Sequence, residues 1–264
     1  MISMKRLGMW GRLGNQMFQY AALKGIATNR GFDFCIPGNP LRHGRAPHDL
    51  FSAFVLDSAV QVRPRWQLFV TRWSSRKEQS HRFDAELFET CPDGTDLLGY
   101  FQSEKYFAHI RDRIRADFTF RTVVDDSSLP EHYVSIHVRR GDYVEKQFAH
   151  PLCTDAYYIA AMDRFPTGTT FVVFSDDIDW CRSQSVFSSC VFSAGRSMLE
   201  DMSLMSRADH NVIANSSFSW WAAWLNPNPD KIVVAPTLWF DPTYLSPEQS
   251  LDLVPEAWDR IDGW

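Results

Sequence analysis

Between residues 133 and 235 short apolar runs alternate with segments of helical length, and this pattern restricts the fold more than any other feature of the chain. Strands are predicted at 133–138, 170–174, 190–192, 211–214 and 231–235, and helices at about 154–165, 179–185, 198–208 and 217–225. Strands that alternate with helices of this length imply a parallel sheet covered on both faces.

The N-terminal part opens in the same way. Residues 5–10 read as a short strand, 11–14 as a tight loop, 15–29 as a helix with Phe18, Ala21, Ala22, Leu23 and Ile26 on its inner side, and 32–36 as a second strand. That is one βαβ unit. Residues 37–98 scatter Pro, Gly, Arg and Ser among aromatics and yield no sheet order; a helical segment follows at about 103–118. The polar stretch 123–130, ending in Pro130, reads as the linker. We therefore expect two domains, 1–126 and 127–264, in an α/β chain.

A net charge of −5 argues against a general binder of nucleic acid or anionic membranes, so any bound phosphate must be met locally. Cys35, Cys91, Cys153, Cys181 and Cys190 are odd in number and scattered, without zinc spacing, and read as reduced, mostly buried thiols. No stretch of about 7 to 15 apolar residues opens the chain as a signal peptide requires, and none approaches the ~20 of a membrane helix. The expectation is a cytoplasmic protein with at most peripheral membrane association.

In an open parallel sheet, ligands bind beyond the carboxyl ends of the strands. Four polar segments fall there. Gly11-Arg12-Leu13-Gly14-Asn15-Gln16 joins the first strand to its helix, where glycines admit a ligand to the backbone and a helix N-terminus favours negative charge. Its spelling is not the dinucleotide fingerprint. His137-Val138-Arg139-Arg140-Gly141-Asp142-Tyr143 ends the strand at 133–138 with two adjacent guanidiniums, which need an anion; a pyrophosphate suits bidentate arginines. The competing arrangement pairs Arg140 with Asp142 and leaves Arg139 on loop carbonyls.

The third segment, Ser175-Asp176-Asp177-Ile178-Asp179, contains a D-x-D pattern able to hold a divalent metal, or simply a carboxylate that caps the next helix while a neighbour accepts from a nucleobase. The fourth, Asn215-Ser216-Ser217-Phe218-Ser219-Trp220-Trp221, places hydroxyls and free N–H groups at a helix start, either an anion cradle or an ordinary serine cap. Trp220, Trp221 and Trp224 read as core or domain-interface residues. No hydrolytic triad, Walker loop or H-E-x-x-H is spelled, and phosphate-directed loops without them suggest a user of nucleoside diphosphates.

Four ordered stretches carry a resemblance: 11–21 (Gly11-Arg12-Leu13-Gly14-Asn15-Gln16 onward), 99–107 (Gly99-Tyr100-Phe101-Gln102-Ser103-Glu104-Lys105-Tyr106-Phe107), 137–143 and 215–225. Together they resemble the motifs of the α1,2-fucosyltransferases of glycosyltransferase family 11. The resemblance implies a GT-B architecture of two Rossmann-like domains facing each other across a cleft, the C-terminal one binding GDP-β-L-fucose and the N-terminal one shaping the acceptor side. It implies inverting transfer of fucose to the 2-hydroxyl of a terminal β-galactoside, without metal or other cofactor.

Carried over by position, His137 and Arg139 match an H-x-R pair that contacts GDP, with Arg139 on the β-phosphate. Arg140 would support the phosphates or the loop; Asp176 or Asp177 would read guanine; Ser216, Ser217 and Phe218 would line phosphates and base. Arg12, Gly14 and Asn15 match a loop that reaches the pyrophosphate from the other domain. Arg139 is the expected catalytic residue, stabilising charge on departing GDP. Candidates for a base toward the acceptor hydroxyl are Asp142, Glu145 and His137, or none is needed. The chain is short for such a family and lacks the N-terminal anchor of animal members, which fits a cytosolic enzyme. The alternatives are another sugar nucleotide or linkage, or a non-catalytic protein that binds a GDP-sugar or glycan.

Overall fold

The protein is described by a computed structural model that covers residues 1–38, 50–56, 61–70 and 74–263. Parts of the irregular region 37–98 therefore lie outside the described residues. The chain forms two compact units, Met1–Thr122 with Leu251–Pro255, and Val123–Ser250 with Glu256–Trp264. The first unit thus ends four residues before the expected division at 126, and it takes back a short late segment, in which Asp252 accepts from Phe83 N at 3.0 Å and from Lys105 Nζ at 2.7 Å.

Unit one contains β1 (Ile2–Ser3), α1 (Leu13–Arg30), β2 (Phe34–Gly38), α2 (Leu50–Ala53), β3 (Gln61–Pro64), α3 (Arg65–Val70), β4 (Ser74–Lys77), α4 (Ala85–Thr90), β5 (Thr95–Leu98) and α5 (Arg111–Asp117). Its sheet is parallel throughout, in the order β3-β2-β1-β5-β4. The chain runs outward from β1 to β3 and then crosses to the other side, so its direction reverses between β1 and β5. Phe18, Ala21, Ala22, Leu23 and Ile26 of α1 are fully buried, as the periodicity predicts.

Two expectations fail here. Residues 5–10 are turns rather than a strand, with Leu7 N on Met4 O and Met9 N on Arg6 O, each at 3.0 Å; left-handed Gly8 and Gly11 (φ 75 and 76) break any extended run. The strand is the two residues before them. The helix expected at 103–118 is two 3-10 turns, Glu104–Tyr106 and Ala108–Ile110, followed by α5, because Phe107 leaves helical geometry at φ −136, ψ 5.

Unit two contains β6 (Val134–Val138), α6 (Asp155–Met162), β7 (Phe171–Ser175), α7 (Ile178–Ser183), β8 (Val191–Phe192), α8 (Met198–Met205), β9 (His210–Val212), α9 (Ser217–Leu225), β10 (Val233–Pro236) and β11 (Asp259–Ile261). These are the elements expected from the alternation, with one more edge strand. The order β11-β10-β9-β6-β7-β8, all parallel, is the doubly wound Rossmann order with its switch point between β6 and β9.

Helices cover both faces, so all five residues of β6 are buried. Val134, Ile136 and Val138 pack with Tyr157, Tyr158, Val173, Val212 and Val234. The hydroxyls of Tyr157 and Tyr158 donate to Ile213 O at 2.5 Å and His137 O at 3.4 Å, so α6 holds the chain at the ends of β9 and β6, each bond contributing about 1 kcal/mol net. Trp220, Trp221 and Trp224 are core residues of this unit. Two Rossmann-like units in one chain make the α/β, GT-B class of fold.

Candidate active site

The switch point of unit two gathers the loops that follow β6, β7 and β9. Parallel pairing in register, Val138 opposite Ser175 and Ile136 opposite Val212, brings the three strand ends to one edge. The β6 strand stops at Val138, and Gly141 at φ +29 turns the chain, so Arg139 and Arg140 are freed from the alternation that would send them to opposite faces.

Both arginines find carboxylates. The Arg139 guanidinium, its side chain 11% exposed, donates to Asp142 and to Asp176. Asp176 also accepts from the backbone N–H of Arg140 at 2.9 Å, which fixes the turn. Arg140 Nε donates to Asp177 at 3.0 Å, and its guanidinium lies 3.7 Å from the Trp180 ring centroid, a cation–π contact. Neither arrangement is the Arg140–Asp142 pair weighed from the sequence. Lys146 donates to the second oxygen of Asp142 at 2.8 Å, so Arg139, Arg140 and Lys146 are matched by Asp142, Asp176 and Asp177. The edge is locally neutral and densely ionic.

His137, the last but one residue of β6, is 4% exposed, and its ring lies 5.3 Å from that of Phe218. Among the described residues its buried Nδ1 meets no hydrogen-bond partner. Burial, with the Arg139 charge adding, drives its imidazole down to about 3, so the ring is neutral at physiological pH. Across the switch point Ser216 caps α9, its Oγ accepting from Phe218 N at 3.3 Å, with Ser217 and Phe218 in the first turn. Asn215 ties three segments: its side chain donates to Pro151 O and Trp239 O at 3.0 and 3.1 Å, and its carbonyl accepts from Tyr143 Oη at 3.2 Å.

The D-x-D carboxylates separate. Asp177 caps α7 and holds Arg140, while Asp179 is 90% exposed beside Arg182 at 3.2 Å. Among the described residues no group of three or more His, Cys, Asp or Glu is placed to hold a metal ion.

Unit one builds its own edge at the reversal between β1 and β5. Arg12 is exposed at the start of α1, Gly14 is buried in the first turn, and Asn15 Oδ1 accepts from Gln102 Nε2 at 2.8 Å. Gln19 joins the two loops, accepting from Gly8 N at 3.2 Å and donating to Gly99 O at 2.9 Å. The stretches 11–21 and 99–107, far apart in sequence, thus meet.

Sequence reasoning missed Lys146, the stack of Tyr143 on His150 (centroids 4.7 Å apart) that backs the Arg139 guanidinium, and Glu78 under the 99–103 loop. The i,i+4 spacing of Asp142 and Lys146 was a readable signal only if 141–146 were seen as helical turns; the others are long-range contacts with no local trace.

No helix of the described residues is long and apolar enough to cross a membrane. By sequence the chain is 34% identical to an α1,2-colitosyltransferase of Escherichia coli, over 96% of this chain and 97% of that protein. It is 31% identical to galactoside α-(1,2)-fucosyltransferase 2 of Oryctolagus cuniculus, over 96% and 75%. Among solved structures, POFUT1 in complex with GDP matches with a TM-score of 0.53 at 12% identity, covering 89% of this chain and 97% of that one. The fucosyltransferase NodZ from Bradyrhizobium matches at 0.52 and 14%, covering 86% and 92%; both likenesses are of fold. The family model for glycosyl transferase family 11 matches residues 2–259, and the chain belongs to that family.

Proposed function

We propose that the protein is an inverting α1,2-fucosyltransferase that moves L-fucose from GDP-β-L-fucose to the 2-hydroxyl of a terminal β-galactoside. The observation that carries this reading is the convergence of Arg139, Arg140, Asp176, Asp177 and the N-terminus of α9 at the unit-two switch point. Relatives spanning nearly all of the chain bear α1,2-transferase names, and a protein of the same fold is known with GDP bound.

In this reading the donor diphosphate takes the Arg139 guanidinium, which has five N–H donors. Asp142 yields its place and turns to Lys146, which already holds its other oxygen. The acceptor hydroxyl attacks C1 from the face opposite GDP, positive charge develops on the sugar, and negative charge develops on the β-phosphate, where the Arg139 bond strengthens. Arg140 supports the phosphates, Asp176 or Asp177 meets the guanine, and Ser216, Ser217 and Phe218 line phosphate and base. His137, neutral, offers its buried Nδ1 as a hydrogen-bonding atom rather than as a base.

Asp142, then held by Lys146 through one oxygen, is not assigned as a base: departure of GDP drives the step, and the hydroxyl proton passes to the departing phosphate or to water. The guanidiniums do what a divalent metal does elsewhere, and no metal or other cofactor is assigned. Arg12, Gly14 and Asn15 are the substrate-contact candidates of unit one. A cytoplasmic location, with at most peripheral membrane contact, goes with this reading.

A second reading, with colitose as the transferred sugar, is favoured by the E. coli relative. Product analysis with GDP-fucose and GDP-colitose, against lactose and a galactosyl-β1,3-N-acetylhexosamine, tests both. Fucosylated product in α1,2 linkage is expected; turnover of GDP-colitose alone moves the donor to the second reading. Binding of GDP-fucose in calorimetry, with no transfer from either donor to any β-galactoside, overturns transfer and leaves a sugar-nucleotide-binding protein.

A further inference from the structure

The 99–107 stretch meets the first motif, yet the reaction as described leaves its conformation without a cause. That cause lies in Glu78, the residue after β4. In the parallel pairing of β4 with β5 the ladder runs to Lys77 opposite Leu98 and one bond further, Glu78 N to Leu98 O at 2.9 Å. The next N–H of the ladder, that of Tyr100, goes to a side chain. It donates to Glu78 Oε2 at 2.7 Å, and the following N–H, of Phe101, donates to Glu78 Oε1 at 2.8 Å.

One carboxylate therefore ends the sheet and takes two successive backbone donors. Gly99 makes the approach possible, because a Cβ there would lie 2.5 Å from Glu78 Cβ and 2.6 Å from Oε2. The loop so held carries Phe101 at φ 53, the only non-glycine residue with positive φ among those described. Left-handed geometry in a bulky residue is costly and persists only where its surroundings impose it. Gln102, directly after it, then reaches Asn15 Oδ1.

We propose that Glu78 is a positioning residue for the transfer reaction: by gripping the N–H groups of Tyr100 and Phe101 it sets the loop in which Gln102 orients Asn15. The inference rests on the reading of Asn15 as a substrate contact. The grip needs charge as well as length. A carboxylate accepts from two N–H donors with charge-assisted bonds, an amide has only one acceptor oxygen, and an aspartate is one methylene too short to span both.

Glu78 lines a cavity of about 340 Å³ with Ser80, Arg82, Phe83, Phe101 and Tyr106. The charged or titratable groups around it are Arg82, Asp84 and His81 from its own loop and Tyr106 from the turn after β5, with Asp252 of the late segment 251–255 beyond Tyr106. Burial pushes the Glu78 carboxyl up to about 7, against the pull of its two N–H bonds. The grip consequently weakens as pH falls through neutrality, and activity depending on it acquires an acidic limb there.

The test combines hydrogen–deuterium exchange of residues 98–104 with kinetics on whichever donor and acceptor the wild type uses, for wild type, Glu78→Gln and Glu78→Asp between pH 6 and 8. In the wild type, protection of the Tyr100 and Phe101 amides is expected to fall below about pH 7. In both variants it is lost across the range, kcat/KM falls by about tenfold or more, and the acidic limb near pH 7 disappears. Unchanged protection in Glu78→Gln overturns the grip. Lost protection with wild-type kcat/KM and pH profile overturns its role in transfer while leaving the transferase reading intact. Rescue by Glu78→Asp reduces the role to charge alone and also overturns it. If the wild type transfers no sugar, the proposed function fails and the exchange result alone decides whether Glu78 sets the loop.

Discussion

The carboxylate of Asp176 occupies the space that a side chain on Gly141 would need: a Cβ at Gly141 would lie 2.3 Å from Asp176 Oδ2. The same carboxylate bonds the Arg139 guanidinium and the Arg140 N–H, so the bareness of Gly141 and the orientation of both arginines are one structural fact. Gly141→Ala is expected to displace Asp176 and to strain a left-handed residue at a cost of about 1 to 3 kcal/mol. The melting temperature should drop by a few degrees and kcat/KM by at least about tenfold. Wild-type kinetics in this variant would dissociate the turn from the site.

If the proposed reaction holds, Arg139→Ala should lower kcat by roughly 10² to 10³ while leaving the circular dichroism spectrum unchanged, because the bond it removes is the one proposed to strengthen as GDP departs. Arg139→Lys should recover little of this. An ammonium cannot present parallel N–H groups to Asp142, Asp176 and a phosphate together, and it lacks the planar group that stands over the Tyr143 ring, 5.0 Å from its centroid. Recovery to within about threefold by lysine would reduce Arg139 to a point charge.

Asp142 separates a clamp from a base. In the proposed reaction it is the anion that holds Arg139 until the diphosphate arrives and so competes with the donor; its ion pair, partly exposed, is worth about 1 kcal/mol. Asp142→Asn is therefore expected to tighten GDP binding by roughly fivefold in calorimetry, with kcat falling less than about tenfold. A kcat loss of about 10² or more with unchanged GDP affinity would instead make Asp142 the base.

Much of unit two could be read before any coordinates, because its strands are buried on both faces and its helices are cut by polar loops; β6 and β7 fall within a residue or so of their predicted limits. Unit one could not. Its opening strand is only two residues long, and the strand expected at 5–10 falls instead on turns in which the apolar Leu7 is buried. The candidate site divides along the same line. Arg139, Asp176 and Ser216 stand at strand ends, where topology alone predicts a ligand edge. Asp142 lies three residues from Arg139, but Asp176 and Asp177 meet the arginines across 36 and 37 residues, and Glu78 meets its loop across 22 and 23, separations that no local pattern records.

A chelator should leave turnover unchanged. Asp177 is engaged by Arg140 and the start of α7, and Asp179 points to solvent beside Arg182, so the D-x-D spelling does not gather two carboxylates. Asp179→Ala is expected to retain activity within about twofold, and EDTA to have no effect on the rate. Loss in EDTA restored by Mn²⁺, together with loss in Asp179→Ala, would return the pair to metal binding.

The pH dependence of stability should report the burial of His137. Its imidazole is held at about 3 in the folded chain, below the ordinary histidine value, because the charged form has no room for water and faces Arg139. Above the unfolded value of about 6.5 both states are neutral there and the residue contributes nothing against folding. As pH falls below it the unfolded chain takes up a proton that the folded chain refuses, so stability is lost between about pH 6.5 and 3, on the order of 1.4 kcal/mol per pH unit. Glu78 and Asp201, raised by burial to about 7 and about 6, act in the opposite direction and are shared by wild type and variant. Urea unfolding of wild type and His137→Gln at pH 7 and pH 4.5 isolates the histidine. The wild type should lose about 2 to 3 kcal/mol more than the variant over that interval. Equal losses would mean that the ring is protonated inside the fold, and would restore His137 as a candidate to exchange a proton with the acceptor.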